Sequence, residues 1–463
     1  VDWNGTSVSY AEFHACILAT RDRLARLNLP KAPVAAVMIG HLFEAWVVTL
    51  ALQSLGYFTV PIDNIAQLDR CDGIGLGLLV RRGGETPAPL PDRWIGRIVE
   101  VRLAPLSKAS VDQALVASTP PLDASGGHIL MTSGTTGVYK LLKIDVKAQR
   151  VRIRNLIEIY GTTADTVAFI GSLRLFSGAG FNRPLRTWAA GGQVVLDQAN
   201  EVSPWFKVTG LTDAVLTPIC LTKLLAAPDA VTFNPALHLY IVAGALPWHQ
   251  AQAVMQRLTP NVYTELGSTE TGTVAVTRVL SPGDQLAHRI HPSRHVEVVN
   301  DEDEVLPPGE IGAVRIRRRP DDVDRYLGDP EATRTFFRGA FFHPGDLGLI
   351  RTDGRLELHG RATDVISVQG AKIAAFPIEQ AVQERLKAKA VCVFSAVNAD
   401  GEEDVYVVVE AGARLDAASR RGIVDVLPPG KCLLVTAPVF PRNRMGKVDR
   451  RALRAMILRD RLS

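Results

Sequence analysis

The sequence predicts an α/β protein: a large N-terminal domain of sheets flanked by helices, carrying a β subdomain, followed by a small α+β C-terminal domain. Three observations carry this. Short β-branched apolar runs alternate with helical stretches as far as residue 242, the pattern of parallel βαβ units. From residue 295 the texture changes to period-two alternation punctuated by Pro-Pro-Gly and Asp-Gly turns, which is antiparallel β structure. After residue 360 about a hundred residues remain, enough for a small domain with its own core. The total of 463 residues fits such a division at roughly 150 residues per domain.

The elements follow in order. Ser9-Tyr10-Ala11-Glu12 has the form of a capping box, so a helix is expected from there to about residue 27. Residues 33–39 read as a strand, 42–55 as a helix and 58–62 as a strand. Residues 81–93 read as an exposed loop, and further strands are expected at 167–170, 193–196, 214–216, 239–242 and 261–264. The β subdomain should occupy about 295–360. The C-terminal domain, 361–463, should hold a strand at 364–368, a helix at 377–386, strands at 391–395 and 404–410, and a helix beginning near Ala417.

Composition narrows the function. With 47% hydrophobic and 22% charged residues the chain is neither disordered nor collagenous. Lys+Arg 52 against Asp+Glu 48 leaves +4, too little to make a nucleic acid the main partner, while a phosphate-bearing small molecule stays open. The most apolar stretch, 42–60, is interrupted by Glu44, Gln53 and Gly56, short of the ~20 residues that span a bilayer. No secretion signal is visible in the sequence, which begins at Val1 without an initiator Met, so one already removed stays open. Five dispersed cysteines (Cys16, Cys71, Cys220, Cys392 and Cys432) suit the reduced, buried thiols of a cytoplasmic enzyme.

Four segments can carry chemistry. Thr132-Ser133-Gly134-Thr135-Thr136-Gly137-Val138-Tyr139-Lys140 follows an apolar run; its glycines let backbone approach an anion, its hydroxyls donate and its lysine adds charge. It lacks the glycine spacing and the hydroxyl after the lysine of a Walker A loop. Leu266-Gly267-Ser268-Thr269-Glu270-Thr271-Gly272 follows an expected strand and puts a carboxylate beside hydroxyls, which suits Mg²⁺ holding phosphate oxygens; a capped helix start is the plain alternative. Gly345-Asp346 with Gly360-Arg361 can bind ribose hydroxyls or a phosphate. Pro441 to Arg450, containing Lys447, is a basic turn. Three other features are read plainly: Gly73, Gly75 and Gly77 as a loop, His288, His291 and His295 as surface histidines, and Arg315, Arg317 and Arg319 as a solvated strand face.

In this order the four segments resemble the adenylate-forming superfamily of acyl- and aryl-CoA synthetases, nonribosomal peptide synthetase adenylation domains and luciferases. Arg325 to Thr333 is similar to the family's G-Y-x-x-x-P-E-A-T segment. The resemblance implies that the loop through Thr132, Ser133, Gly134, Thr135, Thr136, Gly137 and Lys140 handles ATP phosphates. It implies that Thr269 and Glu270 contact the α-phosphate and Mg²⁺, and that Gly244 and Ala245 lie at the adenine. Leu266, Gly267 and Ser268 complete the nucleotide site, Asp346 and Arg361 bind the ribose, and Lys447 bridges carboxylate and phosphate. The gate of the acid pocket falls on Phe176, Ser177 and Gly178, with Phe181 behind it, and Thr363 occupies the hinge. The chain departs from the usual pattern at Leu266, where an aromatic is common, at Thr363, and at Ala375.

The implied activity is ATP- and Mg²⁺-dependent conversion of a carboxylic acid to acyl-AMP and pyrophosphate, then transfer to coenzyme A by alternation of a mobile C-terminal domain. Loading of a carrier-protein phosphopantetheine is the nearest alternative, an amide-forming ligase another, and a non-catalytic nucleotide- or acyl-binding protein the non-enzymatic one. Residues 173–181 hold no acid to pair an α-ammonium, so an aryl or aliphatic acid is expected, held mainly by apolar contacts.

Overall fold

The computed structural model describes residues 2–3, 6–31, 33–84, 90, 94–103, 126–133, 139–170, 173, 175–196, 206, 210–227, 231–368, 371–398, 403–410, 415–428, 431–443 and 446–462. Among these it forms five sheets. The first helix, Tyr10–Ala25, begins at the expected capping box, with Ser9 and Glu12 satisfying each other's backbone amides.

Two sheets are mainly parallel. One runs Arg97–Val101, Leu76–Arg82, Val34–Met38, Phe58–Pro61 and Gly127–Ser133, and ends on the antiparallel strand Tyr139–Asp145. The other places Asn261–Ser268, His238–Ile241, Asp213–Leu216, Val167–Phe169 and Gln193–Leu196 in parallel, with Gly272–Arg278 folded back antiparallel on its edge. Strands buried on both faces need near-continuous apolar sequence, which is why these short runs were legible.

The helices Leu42–Ser54 and Gly178–Ala189 lie between the sheets. One core cluster takes in Val37 and Leu130 from the first sheet and Val194, Val215 and Tyr240 from the second, with Trp46 stacked on Phe181 at 5.3 Å between ring centres. Glu44, on the nearly all-apolar helix, is buried and answered by Arg82 at 2.8 Å. Arg81 and Arg82 therefore belong to the strand Leu76–Arg82 and not to the expected loop, of which 85–89 and 91–93 lie outside the described residues.

The antiparallel sheet expected after residue 295 is built from Val296–Val299, Gly312–Arg317, Phe341–Phe342, Asp346–Ile350 and Leu356–Arg361. It starts earlier than expected, with Ala287–His288 pairing on Leu356–Arg361. His288 is accordingly not a surface histidine: burial pushes its imidazole down to about 4. Arg315 is not solvated either, since Glu297 on the neighbouring strand pairs with it at 2.6 Å. Beyond this sheet come the hairpin Val365–Val368/Ala371–Ala374, the helix Ala375–Leu386, and a three-stranded sheet in which Cys432–Ala437 adds parallel to Glu403–Glu410. That third strand and the helix Arg450–Leu462 were not expected, although the run Leu433-Leu434-Val435 and the spacing of Leu453, Met456 and Ile457 carry an apolar signal. No helix of the described residues is long and apolar enough to cross a membrane, and the five cysteines are free.

Candidate active site

Two hairpins and one helix end meet around a cavity of about 290 Å³. The first hairpin joins Gly127–Ser133 to Tyr139–Asp145, with Thr132 directly opposite Lys140. Both residues border the cavity, so the phosphate-loop lysine is aimed by a strand and not by the loop. Ser133 pairs with Tyr139, and Gly134, Thr135, Thr136 and Gly137 lie outside the described residues.

The second hairpin corrects the expectation that Gly267 to Gly272 follows a strand. The strand continues to Ser268, and Thr269, Glu270 and Thr271 form the turn into Gly272–Arg278. Gly272 enters at φ 64°, a left-handed conformation that glycine takes at no steric cost. Ser268 Oγ accepts from Thr271 N–H at 3.2 Å. Two buried arginines collect the turn's carbonyls. Arg152 donates to Thr269 O (3.1 Å) and Glu270 O (3.3 Å), and Arg294 to Thr271 O and Thr273 O while pairing with Asp322 at 2.6 Å. The backbone that carries the Glu270 carboxylate is thus held in place before any ligand arrives.

Glu270 is 8% exposed, and Tyr326 O–H donates to its Oε1 at 2.8 Å. Lys140 is buried, its ammonium 3.5 Å from the Phe336 ring centre and 4.9 Å from that of Tyr326. Burial draws the Lys140 pKa below its ordinary value, against the pull of Glu270 and Asp329. Burial and Glu270 together raise that of Tyr326, which stays a neutral donor. The sequence showed Tyr326 only as part of a motif; its contacts give it a role.

Lys447 reaches the same cavity from the C-terminal region. Its loop is closed by a bridge between Arg442 and Val448, with Gly446 at φ 76° and Asn443 Oδ1 accepting from Lys447 N–H at 3.1 Å. The residue is exposed as a whole, yet protein atoms crowd its ammonium; that desolvation and the nearby Arg361 lower its pKa, opposed by Asp346 and Glu270. Arg361 borders the cavity and binds Asp346 at 2.9 Å. Burial raises the Asp346 carboxyl, with Arg361 and Lys447 acting the other way. Asp346 thus stands one residue back from the cavity wall, behind Arg361.

Other expected residues divide by the face they present. Phe176, Ser177 and Gly178 border the cavity, Ser177 Oγ capping the helix Gly178–Ala189 by accepting from Gly180 N–H at 3.0 Å. Phe181 does not: it is 1% exposed, stacked on His128 at 3.5 Å and on Trp46. Helical periodicity explains this, since Gly178, Ala179, Asn182, Arg183 and Arg186 share the cavity face while Phe181, Leu185 and Trp188 share the core face. Leu266 points to the antiparallel-sheet core, because its strand neighbours Glu265 and Gly267 take the cavity side. Near the expected adenine contact, Val242 and Ala243 form the wall, and Gly244 and Ala245 lie just past it, with Gly244 packed toward Pro218. Thr363 is exposed and sits in a turn closed by Asp364 N–H to Arg361 O at 2.9 Å.

Apolar side chains such as Leu156, Leu173, Phe176 and Val242 line the cavity, but one part of its wall is polar. Arg183 and Arg186 line it beside Tyr160, Asn182 and Glu265. Glu265 pairs with Arg183, and Asp213 with Arg186 at 2.6 Å and Arg183 at 3.6 Å. Polar residues in a helix buried between two sheets were the available sign.

Residues 101–320 match the AMP-binding enzyme family. A salicylyl-CoA synthase / salicylate adenylyltransferase from a Streptomyces species is 27% identical over 71% of this chain and 62% of its own length. A salicyl-AMP ligase / salicyl-S-ArCP synthetase from Mycobacterium tuberculosis is 28% identical over 72% and 62%. The chain thus spans about six tenths of the length of these relatives. ATP-bound MatB from Rhodopseudomonas palustris superposes with a TM-score of 0.82 over 98% of this chain and 95% of that one at 22% identity, a likeness of fold. Sequence match, fold and the ordered motifs point the same way: the chain resembles the adenylate-forming superfamily, and residues 101–320 match its AMP-binding family.

Proposed function

We propose that the protein activates a carboxylic acid with ATP and passes the acyl group to a thiol. The observation that carries this is the meeting of Lys140, Glu270 and Lys447, far apart in sequence, around one cavity. In the first step a carboxylate oxygen bonds to the α-phosphorus of ATP, the bond from that phosphorus to the bridging oxygen breaks, and pyrophosphate leaves with the electron pair. Two anions must approach, so fixed cations are needed where charge concentrates. Lys447 faces the reacting oxygens, Lys140 the departing phosphates, and Arg361 with Asp346 the ribose. Tyr326 holds Glu270 in place through its hydroxyl.

Glu270 fits a Mg²⁺ carried in by the nucleotide: it is a rigid, buried carboxylate at the cavity wall, and Mg²⁺ with phosphate ligands needs only one or two protein carboxylates. That ion would offset phosphate charge. In the second step the thiol sulfur attacks the acyl carbonyl and AMP leaves. We take residues 1–360 as the large domain and 361–463 as a C-terminal domain that carries Lys447 in for the first step and turns about Thr363 for the second. Coenzyme A is the acceptor we favour, with a carrier-protein phosphopantetheine the alternative that the salicyl-S-ArCP synthetase relative supports. An α-amino acid is disfavoured because Glu265, an acid of the cavity wall, is already taken by Arg183.

The test is acid-dependent exchange of labelled pyrophosphate into ATP across a panel of carboxylic acids, followed by incubation with coenzyme A. Exchange with aryl or aliphatic acids and thioester formation are expected. Absence of exchange with any acid would overturn the reading.

A further inference from the structure

Resting on that reading, the polar part of the cavity wall points to what the acid carries beyond its carboxyl group. Arg183 is 3% and Arg186 0% exposed, and both border the cavity. Arginines this deep normally have every nitrogen partnered, because an unpaired buried donor forfeits its solvation. Here Arg183 Nη1 and Arg186 Nε and Nη1 make no hydrogen bond. Arg183 Nη1 has an ion-pair partner in Asp213 at 3.6 Å, whereas Arg186 has the Tyr160 ring 3.9 Å from its guanidinium carbon. Arg186 therefore holds unused donor capacity at the wall of a cavity built to take a ligand.

Charge decides the kind of acceptor. Arg183 and Arg186 face Asp213 and Glu265, so the two positive charges are matched by two negative ones before anything binds. A second anionic group would leave one buried negative charge uncompensated, which is costly. An uncharged oxygen satisfies the donors without that cost. The same two carboxylates repel an anion and leave no free acid for a cation.

We infer that Arg186, with Arg183, selects an acid bearing a second, uncharged hydrogen-bond-accepting oxygen (hydroxyl, ether or carbonyl). Arg186 is on this view a specificity residue that contacts substrate without taking part in phosphoryl transfer. A purely apolar acid of the same size leaves the donors unpaired, and sites built to hydrogen-bond a substrate oxygen discriminate strongly against analogues lacking it.

The experiment compares pyrophosphate exchange by the unaltered protein for benzoate against its monohydroxy, methoxy and acetyl isomers and the benzenedicarboxylates, and for hexanoate against its hydroxy and oxo derivatives and adipate. At least one uncharged oxygen-bearing acid should exceed its plain parent in kcat/KM by about tenfold or more. Arg186→Met, in which Asp213 keeps Arg183, should collapse that ratio toward one, the oxygen-bearing acid losing more kcat/KM than its plain parent. Plain acids used as well as their oxygenated analogues, or dicarboxylates used best, would overturn this inference and leave the adenylation reading standing. Exchange with no acid at all would overturn both. The comparison on the unaltered protein decides the matter even if Arg186→Met fails to fold, and a retained preference in a folded Arg186→Met would remove Arg186 from the role.

Discussion

At the scale of the residue, the site is a balance of cations held at lowered pKa by desolvation. Lys447 serves the first step only as a cation, and its pKa is lowered from the ordinary 10.5. A lowered pKa means that the charge, and with it exchange activity, is present at lower pH and lost as pH rises through the shifted value. The alkaline limb of pyrophosphate exchange should therefore begin below 10.5. It should move upward in Lys447→Arg, whose guanidinium does not titrate there. A limb that stays in place would transfer the titration to Lys140, which is shifted in the same direction. Lys447→Ala should cut acyl-AMP formation by about 10²–10³, as loss of one preorganised charge-stabilising donor does, and spare thioester formation from supplied acyl-AMP. Tyr326→Phe removes the bond to Glu270 without removing the carboxylate, so it should raise the Mg²⁺ concentration needed for half-maximal exchange while the acid's KM stays put. An unchanged Mg²⁺ dependence would reduce Tyr326 to packing.

At the scale of the element, the helix Gly178–Ala189 does two jobs on two faces, and this separates stability from specificity. Phe181→Ala opens a hole between Trp46 and His128 and should cost about 3–5 kcal/mol in urea unfolding. Because Phe181 is not on the cavity wall, any surviving folded protein should keep its preference among acids; a changed preference would return Phe181 to the pocket. The sequence marked this helix only by its pocket residues, because an isolated stretch does not say which face meets a cavity and which a core. Strands buried on both faces were readable from apolar runs alone, and the capping box at Ser9 from local chemistry. The turn Thr269-Glu270-Thr271 was readable as a carboxylate among hydroxyls but not as a hairpin, since what fixes it, Arg152 and Arg294, comes from distant positions. Residues whose role is made by tertiary contact are marked only weakly in sequence, Tyr326 by its place in a motif and Arg186 as a polar residue in a buried helix.

At the scale of the whole molecule, the C-terminal region touches the rest at points that only one arrangement can keep. Glu384 accepts from the backbone of His249 at 3.0 Å and meets its ring at 3.1 Å. The Asp346 carboxylate acts on the Lys447 charge across the same boundary. One close approach is at Gly446: a Cβ there would come within 2.8 Å of Ile219 Cγ2 on the helix Pro218–Leu225, and its φ of 76° is itself one that side chains resist. Proline at Thr363, by contrast, is a poor lock, because Thr363 is the third residue of a turn, where proline forces the residue before it out of helical conformation. Gly446→Ala is the sharper probe of domain alternation. If the lysine loop docks on Pro218–Leu225 only for the first step, this variant should lower pyrophosphate exchange by about tenfold or more, the equivalent of roughly 1.4 kcal/mol of lost docking, and leave thioester formation from supplied acyl-AMP within about twofold. Ile219→Ala in the same chain removes the atom that the new methyl meets and should restore part of the exchange, the remainder being the cost of the positive φ. Equal losses in the two half-reactions would mean that the lysine loop holds this position throughout the cycle, and the case for a turning C-terminal domain would then fall with it.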